Sequence, residues 1–294
     1  MKPNLMPDLS MKQQLIQPVE ELAFMAGQRI LEIRKAGPRQ LIKPDGSPVS
    51  DADLAADALI SSGLNQLTQD WPVITEEDWD ESRDNITSES YWCVDPLDGT
   101  KGFLNGGKDF TVNIALIHGD YPVLGVIFAP AQKTLWATDG DQVWRRDFSN
   151  DAQSVSDTPP IPIQTRPCPI RRPTVITTMA KYSQTLTHWL DHLAPAETIS
   201  VGSSLKFCYL AEGKADLYPR IGPTMEWDTA AGQAILEAAG GKMIDNKGNR
   251  FSYGKPGRLN ARFAAMGDMG HHANIPHNWY PPSSEAPQEG GHKS

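Results

Sequence analysis

Apolar positions recur at a helical period from about residue 13 to residue 35, where Leu15, Ile16, Val19, Leu22, Ala23, Ala26, Ile30 and Ile33 share one face. The spacing predicts an amphipathic helix ended by Gly37-Pro38. Asp45-Gly46 marks a turn. Ser50, with Asp53 three residues on, predicts a capping box that opens a second helix, whose apolar face carries Ala55, Leu59 and Leu64. Short apolar runs then predict strands at 72–75, 91–95, 110–117, 123–129 and 134–138. Residues 149–173 are dense in Pro, Ser, Asp and Thr and read as a boundary between two halves. Beyond it, strands near 174–177, 215–218 and 242–244 alternate with helices near 184–192, 204–212 and 228–239. That alternation predicts a layered α/β fold, with one half over 1–150 and a second over 170–270. Residues 1–10 read as loose, and 271–294, poor in apolar side chains, as a flexible tail.

The chain has 294 residues, enough for one large domain or two modest ones. Its 39% apolar and 21% charged residues describe a globular protein rather than a disordered one. A net charge of −9 argues against gripping a nucleic-acid polymer, while leaving room for a small anion where metals or a local basic cluster reverse the field. The three cysteines, Cys93, Cys168 and Cys208, are too few and too widely spaced for a disulfide framework or a paired zinc site, and read as buried thiols in a reducing compartment. None begins a Cys-x5-Arg loop, which weakens a thiolate mechanism. No run approaches the ~20 apolar residues of a membrane span, and none has signal-peptide character, so a cytoplasmic protein is expected.

The chemistry concentrates in acids. Asp95-Pro96-Leu97-Asp98-Gly99-Thr100 follows the apolar run 91–94. Pro96 fixes one φ angle and Gly99 permits a tight turn, so both carboxylates can converge beyond the strand end. Converging carboxylates repel unless a cation lies between them, and a hard divalent ion such as magnesium suits oxygen ligands. Taken singly, the same residues also read as a capped turn. Glu76-Glu77 follows another short apolar run and reads alternatively as a solvated loop. Asp228, at the start of an apolar helix, reads alternatively as an N-cap, and Asp53 as a capping-box acid only.

The strings "EE", "DPLDGT" and "WDTAAG", in this order and spacing, resemble the inositol monophosphatase superfamily over roughly residues 45–268. "DGSPVSDAD", "DGTKGF", "FTVNIALI" and above all "VGSSLKFCYLAEGKADLYPRIGPT" resemble its 3′(2′),5′-bisphosphate nucleotidase branch. The resemblance implies an αβαβα sandwich and a phosphomonoesterase using two or three magnesium ions. Glu76, Asp95 and the Leu97 carbonyl would ligate one ion. Asp95, Asp98 and Asp228 would ligate a second, with Glu76 and Asp53 near a third. Asp53 and Thr100 would orient and deprotonate the attacking water. Asp51 competes with Asp53 for that assignment, and Asp53 is preferred. Gly99, Thr100 and Lys101 would face the reacting phosphate, with Lys101 equally readable as an exposed loop residue. Ser203 or Ser204, Lys206 and Arg220 would surround the second phosphate and the adenosine. The bland readings are a helix cap for the serines, a solvated side chain for Lys206 and a surface ion pair for Arg220.

The implied substrate is adenosine 3′,5′-bisphosphate, giving AMP and phosphate, with the sulfated nucleotide a further candidate. One departure is that Thr178-Met179-Ala180-Lys181 stands where many relatives carry a histidine-containing string, so part of the nucleotide contact is open and Lys181 is a candidate replacement. Alternatives are an inositol or broad sugar-phosphate phosphatase of the same fold, and a catalytically silent nucleotide-binding regulator. The resemblance also implies inhibition by lithium.

Overall fold

The computed structural model describes residues 7–43, 46, 48–81, 86, 88–178, 183–270 and 279–282. Asp8 opens the first helix, α1 (Leu9–Ala36), by accepting from Met11 N at 2.8 Å, so the helix starts before the apolar period becomes visible. A hairpin of β1 (Gln40–Ile42) and β2 (Pro48–Ser50) leads into α2 (Asp51–Leu67). The capping box forms as expected: Ser50 N donates to Asp53 Oδ2 at 2.8 Å. Of the expected turn at 45–46, Asp45 lies outside the described residues, and Gly46 has a positive φ of 83°.

There follow β3 (Val73–Thr75), β4 (Ser90–Asp98), the short α3 (Thr100–Leu104), β5 (Thr111–His118), β6 (Tyr121–Ala129), β7 (Thr134–Thr138), β8 (Val143–Asp147) and β9 (Ile161–Pro162). These seven strands form one sheet in sequence order, antiparallel except for the β3–β4 pair. The second half supplies β10 (Thr174–Thr177), α4 (Gln184–Leu193), β11 (Glu197–Ser200), α5 (Leu205–Ala211), β12 (Leu217–Arg220), α6 (Ala230–Ala238), β13 (Lys242–Ile244) and β14 (Phe263–Met266). Its sheet has the order β11-β10-β12-β14-β13 and is mixed.

Strand alternation sets the layers. On β5, Val112, Ile114 and Leu116 pack with the α1 and α2 side chains Phe24, Ile30 and Ile60. Ala115 and Ile117 point the other way, into a cluster with Phe207 of α5, Ile235 of α6 and Phe263 of β14. A third cluster packs Trp189 and Leu190 of α4 on Val175 and Leu217 of the second sheet. The result is α1/α2, sheet, α5/α6, sheet, α4: the αβαβα sandwich. Within the middle layer, α5 and α6 approach closely at Gly232, where an added Cβ would lie 2.3 Å from the Phe207 ring.

The structure differs from the sequence reading in three places. β4 does not stop at Asp95 but continues to Asp98 through a bulge, because Asp95 pairs with Asn113 while Asp98 pairs with Thr111. Pro96 has no N–H to give the ladder, so the irregularity falls there. β1, β2, β8, β9, β11 and β14 were not anticipated. The segment read as a tail from 271 is docked at 279–282: Trp279 is fully buried beside Val175 and Leu217, and Arg262 donates to Pro282 O at 3.2 Å. Residues 271–278 and 283–294 lie outside the described residues.

Candidate active site

On β4, Trp92 and Val94 face the α1/α2 layer, while Tyr91 and Cys93 face α5/α6. Period two therefore aims Asp95 into the middle layer, where it is buried. Its Oδ1 accepts from Leu97 N at 3.0 Å, and its Oδ2 is buried with no hydrogen-bond partner among the described residues. Glu76 follows β3 and is anchored beside β4 by its N–H, which donates to Val94 O at 3.1 Å. Asp228 ends a single turn, Glu226–Asp228, and accepts from Met225 N at 2.7 Å. Ligand atoms of Glu76, Asp95 and Asp228 all lie within 4.8 Å of one another. Asp98 stands next to them and accepts from Ser203 Oγ at 2.7 Å and Ser204 Oγ at 2.9 Å.

Without a cation this arrangement resists ionisation. Burial pushes the Asp95 carboxyl well above the usual range, reinforced by the charges of Glu76, Asp98 and Asp228. Burial and then Asp98 push Asp228 up to about 8. Burial also raises Glu76, opposed by Lys43. Lys43 was missed in the sequence. Its Nζ reaches Glu76 Oε1 at 2.8 Å and Glu77 Oε1 at 2.9 Å. Burial lowers this amine, but the two glutamates more than reverse that and raise it to about 12. Nothing local distinguishes Lys43 from a solvated hairpin residue, so only the tertiary fold shows it.

Asp53 is buried and has two tasks. Oδ2 holds the α2 cap, and Oδ1 accepts from Thr100 Oγ1 at 2.8 Å. Asp51 instead accepts from Arg39 N at 3.0 Å on the outer side, which separates the two candidates geometrically. Thr100 Oγ1 also lies 3.1 Å from Leu97 O, whose side chain is buried in the core. Gly99 makes the intervening corner at φ 95°, where a Cβ would sit 2.8 Å from Asp109 O. Lys101 is exposed.

A cavity of about 150 Å³ adjoins the acids and is lined by Asp98, Asp228, Ser203, Ser204, Lys206, Arg220 and Thr178 among others. Lys206 is buried over the Tyr218 ring at 5.2 Å, and burial pulls its amine down to about 8. Arg220 turns two of its nitrogens to Gly222 O and Pro223 O at 3.2 and 3.0 Å. The serine pair bridges the halves: Thr111 Oγ lies 2.5 Å from Ser203 Oγ, and Asn113 Nδ2 donates to Ser204 Oγ at 2.9 Å. Thr111 and Asn113 carry a sequence signal that went unused, since they are polar alternate positions in an otherwise apolar strand. Lys181 lies outside the described residues.

The profile of the inositol monophosphatase family matches residues 11–275. The chain belongs to that family. Among its relatives, the 3′(2′),5′-bisphosphate nucleotidase CysQ of Salmonella typhimurium is 42% identical over 241 residues, or 81% of this chain and 94% of the relative. The protein of the same name from Escherichia coli K12 is 41% identical over 244 residues, with the same coverage. The crystal structure of CysQ from Bacteroides thetaiotaomicron, described as a bacterial member of the inositol monophosphatase family, aligns with a TM-score of 0.72 and 32% identity, covering 88% of this chain and 99% of that one. An inositol monophosphatase from Anabaena shares the fold, with a TM-score of 0.66 at 22% identity.

Glu76, Asp95 and Asp228 converge here as a hard-oxygen donor set, and one buried oxygen of Asp95 has no hydrogen-bond partner among the described residues. That chemistry suits a divalent cation, which would offset the repulsion that raises Asp95 and Asp228.

Proposed function

We propose that the chain is a magnesium-dependent 3′(2′),5′-bisphosphate nucleotidase that removes the 3′-phosphate of adenosine 3′,5′-bisphosphate to give AMP and phosphate. The observation that carries this reading is the juxtaposition of the acid cluster with a cavity bearing Ser203, Lys206 and Arg220. The acids suit metal-assisted hydrolysis, and the cations suit a substrate with a second anionic group. The names of the CysQ relatives support the same substrate. Glu76, Asp95, Asp98, Asp228 and the Leu97 carbonyl would hold two or three magnesium ions. Bound magnesium supplies charge neutralisation for the phosphoryl group and acidifies a ligated water.

The remaining steps belong to the chain's own groups. Thr100 Oγ1 lies 2.8 Å from Asp53 Oδ1 and 3.1 Å from Leu97 O; with its one proton given to the nearer carboxylate, its lone pairs are free to accept from the attacking water. Asp53 cannot swing away, because Oδ2 is tied to the Ser50 N–H. The pair therefore orients the water and takes up its proton. Lys206 and Arg220 hold the second phosphate, and Gly99 brings the Thr100 backbone toward the reacting one. Thr100→Val is expected to lower kcat by about 10²-fold with little change in melting temperature. Stopped-assay phosphate release checks this, and an undiminished kcat would remove Thr100 from the proton path.

Arg220→Met is expected to raise KM for the bisphosphate by roughly 10- to 100-fold, the weight of a charge-assisted hydrogen bond, while leaving KM for inositol 1-phosphate unchanged. Equal losses on both substrates would argue against a role in the second phosphate. The altered segment at 178–181, with Thr178 on the cavity wall, favours the broader sugar- or inositol-phosphatase reading. Turnover of adenosine 3′,5′-bisphosphate and its sulfated form against inositol 1-phosphate at equal concentration, with and without magnesium, decides. Preference for the inositol ester would overturn the nucleotidase reading, and no turnover of any ester would favour a silent regulator. A reducing compartment such as the cytoplasm suits the three buried free thiols.

A further inference from the structure

Two residues before Asp228 lies a carboxylate that is neither in the acid cluster nor on the cavity wall. Glu226 is fully buried, and both of its oxygens are held by cations. Oε1 takes Lys255 Nζ and Lys255 N, each at 2.9 Å. Oε2 takes Arg258 Nη1 at 3.1 Å. The same Arg258 nitrogen donates to Tyr91 OH at 3.2 Å, and Tyr91 stands on the face of β4 that also presents Asp95. Arg258 is itself buried and sits at φ 54°, a left-handed backbone that a non-glycine residue keeps only when its surroundings over-determine it. Asn260 completes the cradle, with its Nδ2 at 2.6 Å from Met225 O and its N–H at 2.8 Å from Thr224 O. Segment 255–260 thus wraps the turn that carries Asp228 and ties it to the strand that carries Asp95. On the other side, Trp227 packs on Trp79, three residues beyond Glu76, at 5.7 Å between ring centroids.

We propose that Glu226, clamped between Lys255 and Arg258, is a positioning residue for the metal-binding carboxylates, fixing the Asp228 turn against β4 through Arg258 and Tyr91. It touches neither ion nor substrate. Its effect is to hold Asp228 at coordinating distance from Asp95 before any ion arrives, so the clamp governs metal affinity rather than the existence of the fold. The proposal rests on the reading of Glu76, Asp95 and Asp228 as metal ligands.

The test is calorimetric titration of Mn²⁺ into the metal-free full-length protein, for the unmodified chain and for Glu226→Gln, Tyr91→Phe and Asp228→Asn, with metal-free melting recorded for each. Glu226→Gln is expected to weaken Mn²⁺ binding about tenfold or more, as loss of an outer-sphere support does, and Tyr91→Phe to weaken it less in the same direction. A lowered melting temperature with unchanged Mn²⁺ affinity in both would make the clamp merely structural and overturn the proposal. If Glu226→Gln does not fold, Tyr91→Phe decides alone, since it removes one hydroxyl and leaves the ion pairs intact; unchanged affinity there overturns the proposal. Asp228→Asn separates the two readings. Full Mn²⁺ affinity in that variant would discard the ligand assignment itself. Lost affinity there, with the other two variants at full strength, would discard only the clamp.

Discussion

Asp95→Asn is expected to reduce turnover by about 10³-fold, the worth of several kcal/mol of charge stabilisation in the transition state. The substitution is nearly isosteric. The amide oxygen can keep the bond from Leu97 N, which leaves an NH₂ in place of the unpartnered Oδ2, on a side chain that lies beside Glu76 and Asp228. A donor in that position cannot ligate a cation, so metal affinity and rate fall together. The fold should persist, because Asp95 in the metal-free protein is held in an environment that disfavours its charge. Phosphate release, with circular dichroism on the same sample, is the measurement. Near-normal turnover in a folded Asp95→Asn protein would remove the central carboxylate from the mechanism.

The metal-free protein is expected to lose thermal stability as pH rises from about 5 to about 8, and magnesium should restore it. Asp228 keeps its proton to about 8 in the folded chain, through burial and the neighbouring Asp98. The unfolded chain releases the same proton near the ordinary value of about 4. Folding therefore takes up a proton over this window. The associated stability is complete below the ordinary carboxylate range and disappears as pH climbs through about 8. Asp95 and Glu76 are raised by the same causes and act in the same direction. An ion that binds only the folded, ionised cluster opposes the loss, by about 2.7 kcal/mol at a hundredfold excess over Kd. Melting temperatures in chelator and in saturating magnesium, at about pH 5.5 and about pH 8, test both halves of the statement. A metal-free melting temperature that climbs across that interval would contradict the cluster's electrostatics.

The sequence was most legible where local chemistry is strong. The Ser50–Asp53 box and the helix ends at 36 and 193 follow from capping and period, and each falls within two residues of its expected place. The acids were legible because their strings recur together, and the fold does bring Glu76, Asp95 and Asp228 to one point. What stayed hidden depends on distant neighbours. β14, Phe263–Met266, is buried on both faces, so it shows no alternation, and its alanines and methionine suit a helix equally well. β11, Glu197–Ser200, is an edge strand whose residues are mostly exposed, so burial never patterns it. Trp279 sits in a polar stretch, and its docking is decided by a groove built 62 to 104 residues earlier, from Val175, Leu190 and Leu217. Lys43 and the Glu226 clamp are likewise partnerships across the chain, which no window of sequence displays.

The acid cluster is assembled from both halves of the chain, with Asp228 arriving last. A nascent protein halted after β9 would already own Glu76, Asp95 and Asp98, yet lack Asp228, the carboxylate that completes the cluster. The first sheet would also expose the face of Ala115 and Ile117 that α5 and α6 later cover. On the proposed ligand assignment, the metal site is therefore completed only when the last layers have been laid over the first.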